Sequence, residues 1–464
     1  MSADLVKLEP DYIKPSGKAE PILAIPVGRA VFSMAWPAIL ASLLENIATT
    51  IDLIMVGRLG TAQVAAVGLC GMIFWILSSL GIGLSISAMA VIARNVGASK
   101  GKEASLVLGQ SLTLAFYSSV AMSALTMVSA PLIFRLFDVS PEVAVISIDY
   151  LRILSVGMIC FSVMSVGSAA LRGAGDARTP MFVGLVINAV HIALNYALIF
   201  GKWGAPALSS NGAAIGTTVS YFLGSAVYLG LFFAGPVAIR VKREDFTWDS
   251  QRVAQVIRLG LPAAVEQFVV QFGLLVYVKF IVAFGTAALS GYQVGMRILS
   301  LSFIPNFGFQ TAAAALIGQN LGADKKQEAK EAGWICLKWA IISMSLVGLL
   351  FILFSRQLAA IFVNDAEVIE LGALFIRIVG YLQAGMAIHF TLAGALRGAG
   401  DTRWPLLSTL LGMYVCRIPA TWVLTHFFGM GLLATWNLLF LDYLVRIVII
   451  MTRYKRGGWM ETRI

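Results

Sequence analysis

Charge is what this sequence lacks. Only 12% of its 464 residues are Asp, Glu, Lys or Arg, while 59% are hydrophobic and the mean hydropathy is +0.85. A soluble globular chain carries roughly 25% charged residues. The deficit excludes a soluble enzyme, and the same apolar content excludes disorder. Cysteine is scarce as well. Cys70, Cys160, Cys336 and Cys416 all fall inside apolar runs without CxxC spacing, so they read as small core residues rather than a disulfide or metal set. There is no HExxH, no Cys/His cluster, no suggestive Ser/His/Asp arrangement and no Walker A motif. Those absences argue against an enzyme, a metal centre and an ATP-driven pump. No filter-like repeat suggests a channel.

What is present is a series of apolar runs of about 20 residues or more, apolar on both faces, which is the pattern of membrane-spanning helices rather than barrel strands. About twelve runs can be read, centred near Leu43, Leu80, Ser119, Val156, Ile192 and Phe222, then Val270, Pro305, Met344, Gly380, Val415 and Asp442. The first 26 residues are polar and contain proline, so they read as a tail and not as a cleavable leader.

An internal repeat runs at an offset of 225 residues. ALRGAGD occurs at Ala170–Asp176 and again at Ala395–Asp401, followed by Arg178 and Pro180 or by Arg403 and Pro405. Pro37 matches Pro262, Gly60 matches Gly285, Asn95 matches Asn320, Phe137 matches Phe362 and Arg152 matches Arg377, with no gap between about residues 37 and 180. The expected fold is therefore an all-α integral membrane protein of twelve helices. Its two six-helix lobes are parallel repeats, because six is even. The expected divisions are an N-tail 1–26, an N-lobe 27–238, a linker 239–252, a C-lobe 253–455 and a C-tail 456–464.

Basic residues orient the chain. With the N-terminus inside, inner segments hold 23 Lys and Arg while outer loops hold 4, namely Arg58, Arg135, Lys202 and Arg356. Both termini are thus expected in the cytoplasm of a cell with the protein in its inner membrane. The net charge of +10 is then addressed to anionic lipid, not to nucleic acid. The repeated motif falls on the inner face. Its arginines suit helix C-ends, its glycines a tight reversal, and Asp176 and Asp401 can cap the next helix.

Ionisable residues inside a span are costly and point to function. Glu45 and Asp52 lie seven residues apart on one face of span 1, so both must look into a cavity. Asn188, His191 and Asn195 share a face of span 5 and can bond a span 1 carboxylate or bind a cation. Glu266 follows Pro262 in span 7 and is read as a partner for substrate charge, with Glu45 as a second candidate. Pro37 and Pro262 are candidate hinges. Asp442 and Arg446 read as a self-neutralising pair, Lys279 as a helix-end cation, and His389 and His426 take no ligand role. The intramembrane acids are expected to outnumber the cavity cations.

Together the gapless repeat, the DLIMVGRLG string from Asp52, the paired ALRGAGD motifs, the NYALIFG run from Asn195 and the GAAIGT run from Gly212 resemble the MATE family of multidrug and toxic compound extrusion antiporters. The resemblance covers about residues 25 to 460. It implies a V-shaped pair of lobes that exports amphipathic organic cations by alternating access, driven by inward H+ or Na+ and needing no other cofactor, and the chain is expected to act as a monomer. By this resemblance Asp52 matches the span 1 aspartate of an N-lobe cation site, and Thr217 a span 6 threonine near it. Asn195 stands where several relatives have aspartate, and His191 where they have asparagine. Val270 and Met386 stand where the NorM branch has acids, which turns the expectation toward N-lobe coupling as in the DinF branch and toward H+. Alternatives are a lipid-linked precursor flippase, which would want a basic cavity, and a Na+-coupled exporter of a specific metabolite.

Overall fold

A computed structural model describes residues 22–136, 139–462 and 464. Residues 1–21 of the expected N-tail, Phe137 of the repeat and Arg463 lie outside the described residues. Among the described residues the chain makes twelve helical passes. Spans 1 to 6 are Val27–Gly57, Thr61–Leu77 continued by Ser79–Gly97, Gly101–Leu136, Pro141–Gly173, Arg178–Phe200 and Ser209–Ala234. Spans 7 to 10 are Ser250–Val282, Thr286–Gly322, Lys326–Leu353 and Ala366–Gly398. Span 11 runs as Arg403–Thr409, a π-helical stretch Leu410–Arg417, and Ile418–His426, and span 12 is Leu432–Arg456.

Eleven of these helical segments are long and apolar enough to cross a membrane. Span 8 is the exception in composition, because it carries Asn306, Thr311, Gln319 and Asn320, all buried. Neighbouring helices bury most of it, so its polar groups find protein partners. Gln319 donates to the Gly173 carbonyl at 2.8 Å and Asn320 to the Leu316 carbonyl at 2.9 Å. Outward faces are apolar instead, as with Leu125, Val128 and Leu132 on span 3 and Leu346, Leu349 and Leu350 on span 9.

Both copies of ALRGAGD fold alike. Gly175 and Gly400 take φ of 91° and 85°, a region where a Cβ is strained. Asp176 N–H donates to the Leu171 carbonyl at 2.9 Å and Asp401 N–H to the Leu396 carbonyl at 2.8 Å. This is the six-to-one closure of a Schellman turn. The aspartates then diverge. Asp176 caps the next helix, accepting from the backbone N–H of Arg178 and Thr179 at 3.1 and 2.9 Å. Asp401 meets Arg453 at 2.7 Å instead. The expected cap is thus present in the first copy, while the second copy turns its carboxylate to span 12.

The halves exchange parts at the end that carries these loops. Val31, Met34 and Ala35 of span 1 sit in the core cluster of the second half. Their counterparts in the repeat, Val256 and Leu259 of span 7, sit in the core of the first half. Glycines bring backbones together there. A Cβ on Gly97 would stand 1.9 Å from the Gln319 carbonyl oxygen, and one on Gly322 would stand 2.0 Å from that of Arg94. Arg94 Nη1 also donates to the Ala399 carbonyl across the lobes at 3.3 Å.

Candidate functional site: a charged cavity between the lobes

Away from those contacts the lobes enclose a cavity of about 960 Å3 lined by both halves. Pro37 and Pro262 each stand four residues before the first lining residue of their span, Ala41 and Glu266. Every acid singled out in spans 1 and 7 reaches this cavity: Glu45, Asp52 and Glu266. Asn188, His191, Asn195 and Thr217 line it as well.

Four of these side chains form one cluster. Asn195 Nδ2 donates to Asp52 Oδ1 at 2.8 Å, and His191 Nε2 stands 3.4 Å from Asp52 Oδ2. His191 Nε2 is also 3.0 Å from Thr217 Oγ1 and 3.0 Å from Asn195 Nδ2. Thr217 spends its own hydroxyl proton on the Ala213 carbonyl at 2.8 Å. A helix spacing of four residues stacks His191 over Asn195, and Gly216 lets span 6 close on them. A Cβ at Gly216 would stand 2.1 Å from Asn195 Oδ1. That oxygen is buried without a hydrogen-bond partner. Asn188 faces the cavity further along the same helix face. Glu45 lies on the Asp52 face of span 1, and Arg172 is the cation whose field reaches it. Beside this cluster Phe74, Trp75, Phe161 and Tyr221 pack ring to ring, Phe74 and Tyr221 stacked at 6.2 Å between centroids.

Glu266 has a different setting. It is 2% exposed, and Arg397 of the second ALRGAGD holds it through Nη2 to Oε1 at 2.6 Å and Nε to Oε2 at 3.3 Å. Thr409 Oγ1 is 3.4 Å away. Asp442 is likewise enclosed. Arg446 takes both its oxygens at 2.5 and 3.1 Å, and Arg417 stands 3.7 Å off. The self-neutralising pair read from span 12 therefore exists, with a third member added.

The cavity charges correct one expectation. Acids do not outnumber cations: Glu45, Asp52, Glu266 and Asp442 face Arg172, Arg397, Arg417 and Arg446. Arg172 and Arg397 do end their helices, but their long side chains reach back into the cavity. Arg417, in span 11, is a cavity cation that hydropathy and residue spacing do not single out. His389 also lines the cavity, buried and with Nδ1 unpartnered. Lys279 lies exposed in the last turn of span 7, and His426 ends the helix Ile418–His426.

Two repeated six-helix lobes around a largely apolar cavity set with charged side chains make a multi-pass membrane transporter. The MatE family profile matches residues 37–197 and 262–423, and the chain belongs to that family. It is 32% identical over 445 residues to a probable multidrug resistance protein NorM of Thermotoga maritima, covering 93% of each chain. It is 26% identical to the probable multidrug resistance protein YoeA of Bacillus subtilis, covering 88% of this chain and 89% of that one. Among solved structures it resembles a MOP superfamily transporter of Pyrococcus furiosus, described as having a binding pocket of reverse polarity. That likeness has a TM-score of 0.90 at 21% identity and covers 97% of this chain and 100% of the other. An outward-facing multidrug resistance MATE transporter gives 0.90 at 22% identity with the same coverage. These likenesses establish the two-lobe V-shaped fold.

Proposed function

We propose that this chain is a proton-coupled antiporter that exports amphipathic organic cations by alternating access, with coupling in the N-lobe. The observation that carries the reading is the Asp52–Asn195–His191–Thr217 cluster on the cavity wall. One carboxylate there already accepts from an amide and faces an imidazole. A sodium ion prefers several oxygen ligands, as hard cations do. Nitrogen atoms, Asn195 Nδ2 and His191 Nε2, occupy much of the space beside Asp52, and that supports H+. The Asn195 amide can report the change. With Asp52 ionised, the amide presents Nδ2 to it. With Asp52 protonated, a flipped amide would accept from the new O–H through the oxygen that now lacks a partner.

The cationic end of the substrate is served by Glu45 and Asp52, and its apolar body by the aromatic group beside them, since ring faces attract cations. Protonation of the acid pair removes the counter-charge of a bound drug and lowers the cost of closing the cavity. Drug leaves outward, and deprotonation favours reloading from inside. A coupling of a few kcal/mol between proton and drug suffices. If the basic face lies in the cytoplasm of the inner membrane, the lobe contacts described above seal the inner side. Coupling of this kind follows the DinF branch, although relatives named NorM align along most of the chain.

The test uses proteoliposomes containing a fluorescent organic cation. Proton gradients and sodium gradients are imposed separately. Transport driven by protons alone and lost in Asp52→Asn is expected. Transport driven by sodium alone would overturn the ion assignment, and export retained after neutralising both Glu45 and Asp52 would overturn the site.

A further inference from the structure

The cavity has a second charged station, and it has the opposite sign. In the C-lobe Glu266 and Arg397 cancel, and Arg446 engages both oxygens of Asp442. Arg417 is the third member of the Asp442 group and leaves it with one positive charge in excess. Its closest acidic oxygen, on Asp442, is 3.7 Å away, beyond hydrogen-bond distance, and its Nε has no partner although the residue is only 5% exposed. Its guanidinium carbon stands 3.7 Å from the centroid of the Tyr277 ring. A buried arginine in a membrane span is expensive. The Tyr277 side chain offsets part of that cost, and the unpartnered Nε leaves the flat guanidinium a donor to be used.

The repeat gives this station a meaning. An offset of 225 sets Tyr277 opposite Asp52, and Asp442 lies in span 12, the counterpart of span 6, which carries Thr217. The C-lobe cluster therefore occupies the level of the N-lobe cluster, with an arginine where the other has acid chemistry. The backbone is adapted to it. Arg417 closes the π-helical stretch Leu410–Arg417, a form common at functional positions. Gly412 in that stretch lets the Asp442–Arg446 pair lie against span 11, since a Cβ there would be 2.4 Å from Asp442 Oδ1. Across the cavity Glu45 and Asp52 exceed Arg172 by one negative charge. One wall is thus short of a cation and the other short of an anion.

We propose that Arg417, supported by Arg446 and Tyr277, binds a carboxylate of the transported molecule, so that the preferred substrates are amphipathic zwitterions whose amine faces Glu45 and Asp52. The proposal rests on the export reading above and specifies its substrate class. Arginine suits a carboxylate because two parallel N–H donors match its two oxygens. The cavity of about 960 Å3 is at the large end of the range for drug-sized ligands.

A matched dye pair tests this with the full chain in lipid nanodiscs. Rhodamine B is a zwitterion at neutral pH, and its ethyl ester is a cation of nearly the same shape. Binding is read by fluorescence anisotropy. Arg417→Gln should weaken rhodamine B by at least about tenfold, as loss of a charge-assisted pair does, and leave the ester unchanged. Asp442→Asn removes the internal competitor for the arginines and should raise the preference for rhodamine B over its ester. It reads the same site should Arg417→Gln not fold. Equal shifts for both dyes, or no change in the acid-to-ester ratio in either variant, would overturn the proposal. Asp52→Asn separates the two readings. Weakening of both dyes there with no acid-specific effect at Arg417 keeps the cation reading and discards this one. An acid-specific effect at Arg417 with no response to Asp52→Asn keeps the carboxylate site at Arg417 and overturns both the amine station and the cation reading.

Discussion

Removing the carboxylate of Glu266 should destabilise the C-lobe, because it strands a buried arginine. The pair it makes with Arg397 is 3% and 6% exposed at the side chains, with contacts of 2.6 and 3.3 Å. Glu266→Gln keeps the volume and leaves Arg397 buried without an anion. Breaking one side of such a pair costs roughly 3–5 kcal/mol, which is about two to three and a half decades in the folding equilibrium. Replacing both partners by apolar groups of similar size, as in Glu266→Leu with Arg397→Met, removes the stranded charge and should return to within about 1 kcal/mol of the parent or exceed it. The assay is denaturant unfolding in mixed micelles, followed by tryptophan fluorescence. A Glu266→Gln variant within about 0.5 kcal/mol of the parent, the range of an ordinary surface change, would refute the reasoning. So would a double variant no more stable than the singles. Transport by the double variant answers a separate question: a folded protein that no longer moves an organic cation would return Glu266 to the substrate role the sequence suggests.

Further outcomes follow from the same geometry. Gly216→Ala should displace Asn195 and cut proton-driven transport by at least about tenfold while the protein still folds, because its Cβ would stand 2.1 Å from Asn195 Oδ1 and a displaced ligand loses the alignment on which coupling depends; uptake in proteoliposomes checks this. Asn195→Asp sets a second carboxylate beside Asp52 and should introduce stimulation by Na+, measured as transport under an imposed sodium gradient. Gly97→Ala should pry the lobes apart at the basic end, since its Cβ would stand 1.9 Å from the Gln319 carbonyl oxygen; a cysteine placed at cavity-lining Met89 should then react faster with a thiol reagent added from that side.

Much of this was readable in the sequence, for identifiable reasons. Span positions follow from apolar run length, and the two Schellman turns from a repeated glycine pattern. The N-lobe cluster was legible because residues 188, 191 and 195 mark one helix face by their spacing, and span 1 offers two acids on one face of its own. The Glu266–Arg397 pair was not legible. Its members are 131 residues apart, and no periodicity links helices that meet only in three dimensions. The same holds for Arg417 against Tyr277. A signal did exist there: carrying the 225 offset through Asp52 arrives at Tyr277, and the counterpart of span 5 is span 11, which holds Arg417 as its intramembrane cation. The interruption of span 2 at Ser78 and the π stretch of span 11 leave no mark on hydropathy, because a change of helical winding alters hydrogen bonds and not composition.

The exchange of Val31 and Met34 for Val256 and Leu259 between the two cores bears on ancestry. A half-length chain built like either half would expose the apolar start of its first helix and would carry, in its own core, the vacancy that receives one. Two copies would satisfy each other around an axis along the membrane normal. Such a swapped homodimer is the simplest assembly from which this chain could arise by joining two genes end to end, and the polar segment from Arg240 to Asp249 would be the join. Fusion would then free each half to diverge, so that one lost its arginine and the other its aspartate.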